Sequence, residues 1–183
     1  MKLVYNLRAE QKEIYQNLAR FNVLLAHRRM GKTVFAVILL IRKAFECEHN
    51  RPQVQYYCPS YSQAKRVAWA YIKQYTEGIG ASYNEAELKC TLPTGAIIQL
   101  GSAENPDASR GIYSDFVVLD EPAQMPSRMW TEVLRPALSD RKGGALFIGT
   151  PKGRHGLFFE SYQLAEHDPL WWRGMYKACL LYT

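Results

Sequence analysis

Residues 22–26 read NVLLA and residues 34–41 read VFAVILLI, and the turn joining these two apolar runs carries the octapeptide AHRRMGKT, residues 26–33. A short buried strand, a tight basic turn and a long apolar helix in that order leave few folds open. Backbone N–H groups of such a loop, with the helix N-terminus behind them, form a cradle for phosphate oxygens. Gly31 allows the backbone a tight turn where a side chain would clash. The sequence G-x-x-x-x-G-K-[ST] works in this strand-to-helix setting. Ala26, His27, Arg28, Arg29, Met30, Gly31, Lys32 and Thr33 are therefore the expected phosphate-binding stretch. Lys32 is suited to the β- and γ-phosphates, and the Thr33 hydroxyl to Mg2+. One departure is that Ala26 stands at the first position, where the pattern has Gly.

The rest of the chain alternates strand and helix signals. Helices are expected over residues 8–19, with Ile14 and Leu18 on one side, and over 32–45, where length and the preceding glycine turn argue against a strand. Residues 54–58 (VQYYC) read as a second strand stopped by Pro59, followed by a helix over 63–75 with Val67, Ala70 and Tyr71 inward. Residues 88–92 and 96–100 suggest a hairpin around Pro93, Thr94 and Gly95. Residues 116–119 (FVVL) and 145–148 (ALFI) read as central strands. Ser127 is expected to cap a helix ending at 134, because Pro136 breaks or kinks a helix at that point. A helix over 157–165 and an aromatic last strand within 171–181 complete the pattern. The implied fold class is α/β, a mostly parallel central sheet with helices on both faces. With 183 residues, 48% of them hydrophobic, the chain has material for a single domain with a real core.

The strand FVVL runs directly into Asp120 and Glu121, which puts two carboxylates at the C-terminal edge of a parallel strand, where open α/β sheets bind ligands. Asp120 is suited to the Mg2+ shell and Glu121 to orienting and deprotonating an attacking water. The second acid has no metal duty, which points to hydrolysis rather than binding alone. The long span between Lys32 and Asp120 leaves room for intervening strands and favours the additional-strand class of P-loop NTPases.

The net charge of +6 suits contact with nucleic acid or nucleotides without requiring it. Cys47, Cys58, Cys90 and Cys179 show no C-x-x-C pair and no histidine at metal spacing, so a zinc site is not expected from spacing. Residues 1–15 lack an apolar signal core, and the longest wholly apolar run, 34–41, is far short of a membrane span. A soluble intracellular protein with no membrane partner is expected.

Taken in order, these motifs resemble the large terminase subunit of tailed bacteriophages, in its N-terminal ATPase domain. AHRRMGKT resembles the family's variant phosphate loop, which lacks the first Gly and carries an Arg four residues before the Lys, here Arg28. VVLDEPAQMP resembles its acidic segment, and LFIGTPKGRHGLFFE its coupling motif, with Thr150 and Pro151 matching Thr-Pro. LRAEQKEIY is similar to an adenine-reading Q motif with Gln11 at the matching Gln, the other reading being an exposed helix glutamine. Ser109, Arg110 and Gly111 resemble a segment whose Arg reaches a neighbouring subunit, the other reading being a surface arginine. YCPSYSQAKRVAW resembles the family's second strand and helix, so Lys65, Arg66 and Lys73 either contact DNA phosphates or form a solvated face. Trp171 and Trp172 either form a binding surface or pack against the core or a further domain.

The resemblance implies an ATP hydrolase that powers translocation of double-stranded viral DNA into a procapsid, with ATP and Mg2+ as cofactors. Lys32, Glu121, Arg28 and Arg110 would be catalytic, Gln11 and residues 26–33 would hold nucleotide, Thr33 and Asp120 metal, and Thr150 would couple nucleotide state to DNA grip. Portal protein, the small terminase subunit and a homo-oligomeric ring on the portal are the implied partners, in the host cytoplasm. A monomer is the alternative for an isolated domain. Family members continue into an RNase H-like nuclease. This chain has only scattered acids beyond Glu121 and reads as a single motor domain over 1–183. A helicase-like ATPase would need a second domain, and a small-molecule kinase would not need Glu121. A non-hydrolysing nucleotide-dependent assembly module is separated from the motor and the helicase-like ATPase by whether phosphate is released from ATP, with and without DNA.

Overall fold

Alternate residues of the central apolar runs face opposite sides of one sheet, which is why those runs are apolar throughout. In β6 (Phe116–Asp120), Phe116 and Val118 enter one core while Val117 and Leu119 enter another. In β7 (Gly144–Gly149), Leu146 and Ile148 join the first core and Ala145 and Phe147 the second. The computed structural model describes residues 5–27 and 30–176.

The remaining strands are β1 (Phe21–Ala26), β2 (Gln53–Cys58), β3 (Ser82–Asn84), β4 (Lys89–Thr91), β5 (Ile97–Ser102) and β8 (Trp171–Tyr176). They form an eight-stranded sheet in the order β3-β4-β5-β2-β6-β7-β1-β8. Only the β3-β4 and β4-β5 pairings are antiparallel. The first core is covered by α1 (Ala9–Gln16), α2 (Lys32–Glu46) and a helical stretch running from α3 (Tyr61–Ala64) through a π-helical segment, Lys65–Trp69, into α4 (Ala70–Thr76). The second is covered by a π-helical segment, Met129–Leu134, that continues into α5 (Arg135–Ala137), and by α6 (Gly156–Leu164). Residues Phe35 to Ile41 of α2 are all buried, because the helix lies between the sheet and other helices. A helix apolar on every side is the mark of such a position.

The expected α/β class, the mostly parallel sheet and helices on both faces hold. Four local expectations need correction. The helix starting near residue 61 turns Ala64, Ala68, Trp69 and Ile72 inward, whereas Ala70 is exposed and Val67 and Tyr71 are half-buried. The π-helical segment widens the turn and shifts the phase of the face, which an even 3.6-residue period does not anticipate. Ser127 lies inside its helix rather than capping it, and the helix passes through Pro136 to Ala137. The π-helical turns before Pro136 re-route the backbone bonds that a proline in a regular helix would break. The short polar strand β3 is an addition to the expected elements, and the first helix ends at Gln16 rather than at 19.

Trp171 is 6% exposed and packs against Phe21, Trp130 and Phe147, so the core is its place rather than a binding surface. Residues 177–181 of the expected last strand lie outside the described residues, as does Cys179. Among the described residues Cys47, Cys58 and Cys90 are free thiols, and no helix is long and apolar enough to cross a membrane.

Candidate active site

The chain leaves β1 at Ala26 and enters α2 at Lys32 through Gly31, whose φ of 76° is left-handed. A non-glycine residue is strained in that conformation, so Gly31 is fixed by backbone geometry. Because β1 lies beyond β7 from β6, the loop before α2 and the loop after β6 flank the end of β7. Lys32 comes from the first loop, Asp120 and Glu121 from the second, and Thr150 from the end of β7 itself.

The turn after β6 is sharp. Glu121 has φ 57°, a left-handed conformation uncommon outside glycine, and its N–H donates to Ile148 O at 2.9 Å. That geometry throws the Glu121 side chain toward Lys32, whose Nζ stands 2.7 Å from Oε1. The Thr150 hydroxyl donates to the same carboxylate, 3.0 Å from Oε2 and 3.2 Å from Oε1. Burial acts to raise the Glu121 carboxyl, but the Lys32 ammonium and Thr150 outweigh it and leave the group below its ordinary value. Glu121 is thus an ionised carboxylate at neutral pH.

Its neighbour differs. Asp120 is only 4% exposed, and burial pushes it up to about 6 against the opposing hydrogen bond from Tyr56. The fully buried Tyr56 on β2 donates its hydroxyl to Asp120 Oδ2 at 2.8 Å. The Thr33 side chain lies near enough to the Tyr56 hydroxyl to oppose, in small part, the rise that burial imposes on it. The half-buried Thr33 and the buried Asp120 thus offer oxygen donors on the two sides of the Tyr56 hydroxyl's surroundings. An all-oxygen donor set of this kind fits Mg2+, a hard cation that keeps waters and takes few protein ligands.

The sequence alone does not single out Tyr56. Two tyrosines stand side by side in VQYYC, and only strand pairing decides which of them faces Asp120. In the register of β2 against β6, Tyr56 lies opposite Val118, two residues before Asp120 on the same face.

Gln11 is buried rather than exposed. Its Oε1 accepts from the Arg8 N–H and the Tyr5 hydroxyl, while its buried Nε2 has no partner among the described residues and lies beside Gly31. A buried amide beside such a loop needs a partner, supplied by the loop itself or by a ligand. Met30 is half-buried against the first core, and His27 is exposed with its N–H on Tyr176 O. Arg28 and Arg29 lie outside the described residues. Arg110 is not brought to this site. Its side chain, 53% exposed, contacts Asp107 at 2.5 Å and Glu132 at 3.2 Å beside the helix that covers the second core. Lys65 and Arg66 are exposed, and Lys73 pairs with Glu85 at 2.8 Å.

Residues 23–163 match the family described as "Terminase large subunit, T4likevirus-type, N-terminal". The chain belongs to the terminase large subunit family. Among curated relatives, the terminase large subunit of Thermus phage G20c is 45% identical over 76 residues, 42% of this chain and 14% of that protein. That of Escherichia phage T5 is 30% identical over 156 residues, 82% of this chain and 34% of that protein. The chain thus matches well under two thirds of the length of either relative. Among solved structures, the large terminase ATPase domain of Thermus phage P74-26 superposes with a TM-score of 0.80 at 24% identity, covering 96% of this chain and 82% of that one. The fold is that of a P-loop NTPase. The terminase match contains Lys32, Thr33, Tyr56, Asp120, Glu121 and Thr150 but begins after Gln11.

Proposed function

We propose that this chain is a Mg2+-dependent ATP hydrolase that drives double-stranded DNA into a viral procapsid. The observation that carries the reading is the joining of Lys32, Glu121 and Thr150 at the ends of three neighbouring strands, beside the oxygen pair Thr33 and Asp120.

The contacts suggest the order of events. Lys32 holds Glu121 until phosphate oxygens offer its ammonium a stronger set of partners. Glu121, released from the lysine and still steered by Thr150, orients a water and takes its proton. Thr33 and Asp120 would hold Mg2+, which supplies charge neutralisation on the phosphates. Catalysis of this kind is positional and electrostatic, without a covalent step on the protein. Gln11 is proposed to read the adenine edge with its side-chain amide, and Arg28 to serve its own nucleotide. Thr150 touches the base directly and sits on the loop leading to α6, so it is the proposed reporter of nucleotide state.

The motor would work as a homo-oligomeric ring on the portal protein, supplied with DNA by the small terminase subunit, in the host cytoplasm. Phosphate release from ATP, measured with and without linear double-stranded DNA of unrelated sequences, tests the proposal. Turnover that requires Mg2+ and Lys32 is the expected result. Nucleotide binding without any phosphate release, even on assembled rings, would leave an assembly module in its place.

A further inference from the structure

The opposite end of the sheet carries a second cluster that nucleotide chemistry does not use. The C-terminus of α2 lies about 22 Å along its axis from the phosphate loop, at 1.5 Å per residue. There Cys47 ends the helix, His49 follows in the turn, and Asp115 precedes β6. Their ligand atoms all lie within 4.8 Å of one another. His49 Nδ1 stands 2.6 Å from Asp115 Oδ1 and 3.5 Å from Cys47 Sγ.

Both contacts fall on the same ring nitrogen. One Nδ1 proton can point well at only one of them, and the 2.6 Å contact makes that the carboxylate. A nucleophilic relay is excluded for the same reason, since it needs thiol and carboxylate on opposite nitrogens of the ring. Three different donors gathered within reach of one point can serve a metal ion, the hydrogen-bonded Nδ1 and Oδ1 opening to the roughly 3.3 Å that two ligands of a tetrahedral zinc require.

The surroundings hold the carboxylate in place, with Arg20, Lys43, Arg141, Lys142 and Glu46 sharing the cavity wall. Asp115 is oriented by its other oxygen, which accepts from the Gln53 N–H at 2.7 Å and contacts Arg141 at 3.3 Å. Arg141 is itself held over the Tyr113 ring at 3.7 Å. Carboxylate ligands tied in this way by outer partners are the usual construction of metal sites. The Asp115 side chain is 4% exposed and that of His49 is 48% exposed, so one ligand is rigid and another is free to adjust. The cluster opens into a cavity of about 460 Å³, which leaves room for water on the side away from the protein.

We propose that Cys47, His49 and Asp115 bind a zinc ion, with water completing the tetrahedron. A thiolate, an imidazole and a carboxylate form the mixed soft and borderline donor set that Zn2+ takes, and not the all-oxygen set of Mg2+. Binding releases the Cys47 thiol proton to solvent. The thiolate and the Asp115 carboxylate then cancel the charge of the dication, and toward Asp115 Arg141 keeps only its hydrogen bond to the outer carboxylate oxygen. The ion ties the end of α2 to the start of β6, the two elements whose other ends carry Lys32 and Asp120. Sequence spacing gives no sign of it because Asp115 is 66 residues from His49.

The test strips the full chain with a chelator, reloads it with Zn2+, desalts it and measures metal by mass spectrometry. One retained equivalent is expected, with affinity lowered at least about tenfold in Cys47→Ser and in His49→Ala. Co2+ in place of zinc should give a thiolate charge-transfer band that disappears in Cys47→Ser. The exposed His167→Ala serves as control and should keep both the metal and the band. Because the His49 side chain is half exposed, His49→Ala remains informative even if Cys47→Ser folds poorly, and circular dichroism checks both. No zinc retained by the unchanged chain, or zinc retained equally by the two folded variants, would overturn the site and leave a hydrogen-bonded cluster.

Discussion

Lys32 Nζ lies 2.7 Å from Glu121 Oε1, so the lysine expected on phosphate and the acid expected on water hold each other. The Lys32 ammonium has three N–H donors, so phosphate oxygens arriving there would compete with Glu121 for them.

Lys32→Ala is expected to abolish phosphate release while leaving the fold in place. Glu121 keeps the Thr150 hydroxyl and is 16% exposed, so the stability loss should not exceed about 2 kcal/mol. Thermal unfolding and a phosphate assay on the same preparation check both halves. Normal turnover by the folded variant would remove the phosphate-loop assignment.

Asp120 and Glu121, although adjacent, should separate by mutation and by pH. Glu121→Gln keeps shape and Mg2+·ATP binding but cannot take a proton, so turnover should fall by about 10²–10⁴. Asp120→Asn should instead weaken Mg2+ dependence and nucleotide binding together. The raised Asp120 value adds a sign. Between the ordinary 3.8 and about 6 the folded chain holds a proton that the unfolded chain has lost, so this group's contribution to stability falls as pH rises through that window. At pH 7 Asp120 is a buried charge awaiting a cation. Asp120→Asn should therefore raise the stability of the nucleotide-free protein by roughly 1–3 kcal/mol at pH 7, and by little at pH 4. Denaturant melts at the two pH values measure it, and a destabilised Asp120→Asn at pH 7 would contradict the cause given for the shift.

Tyr56→Phe removes the hydroxyl between Asp120 and Thr33 and leaves the buried ring in place. Asp120 Oδ2 then loses the donor that orients it, and outer partners of metal ligands are commonly worth 10–100-fold in metal affinity. The Mg2+ concentration for half-maximal binding of a fluorescent nucleotide should rise by about tenfold, with unfolding temperature changed little. An unchanged Mg2+ midpoint would reduce Tyr56 to a packing residue.

The parts of the site that can be read from sequence are those fixed by local backbone chemistry. Gly31 and Lys32 sit at a strand-to-helix turn, and Asp120 and Glu121 end a run apolar enough to require burial on both faces. The hidden parts depend on pairing between distant segments. The choice of Tyr56 over Tyr57, the Thr150 hydroxyl on Glu121 and the burial of Gln11 all arise from sheet order, which no window of the sequence carries. The inward face of the helical stretch from Tyr61 to Thr76 departs from expectation because its π-helical segment breaks the period on which such readings rest. Strand β3 escapes sequence patterning because it is a short polar edge piece, held by its partner and not by a core of its own.

The fold keeps Arg110 away from the active site of its own chain. Its two carboxylate partners, Asp107 and Glu132, are as exposed as it is, with side chains 55% exposed against 53%. Surface pairs of this kind contribute about 0–1 kcal/mol, so the guanidinium can leave them at little cost. Inserted into a neighbour's site it would neutralise charge on the γ-phosphoryl group, an effect worth about 10³–10⁵ in rate in related phosphoryl-transfer enzymes. The experiment mixes Arg110→Ala subunits with Glu121→Gln subunits, each inactive alone, on assembled rings. A trans arginine restores hydrolysis wherever an intact Arg110 meets an intact Glu121 across an interface, so activity should peak at intermediate mixing ratios. If mixed rings form and no ratio restores phosphate release, Arg110 acts in cis or only in its surface pairs. A modest loss in Arg110→Ala, with stability unchanged and no dependence on assembly, would favour the surface pairs.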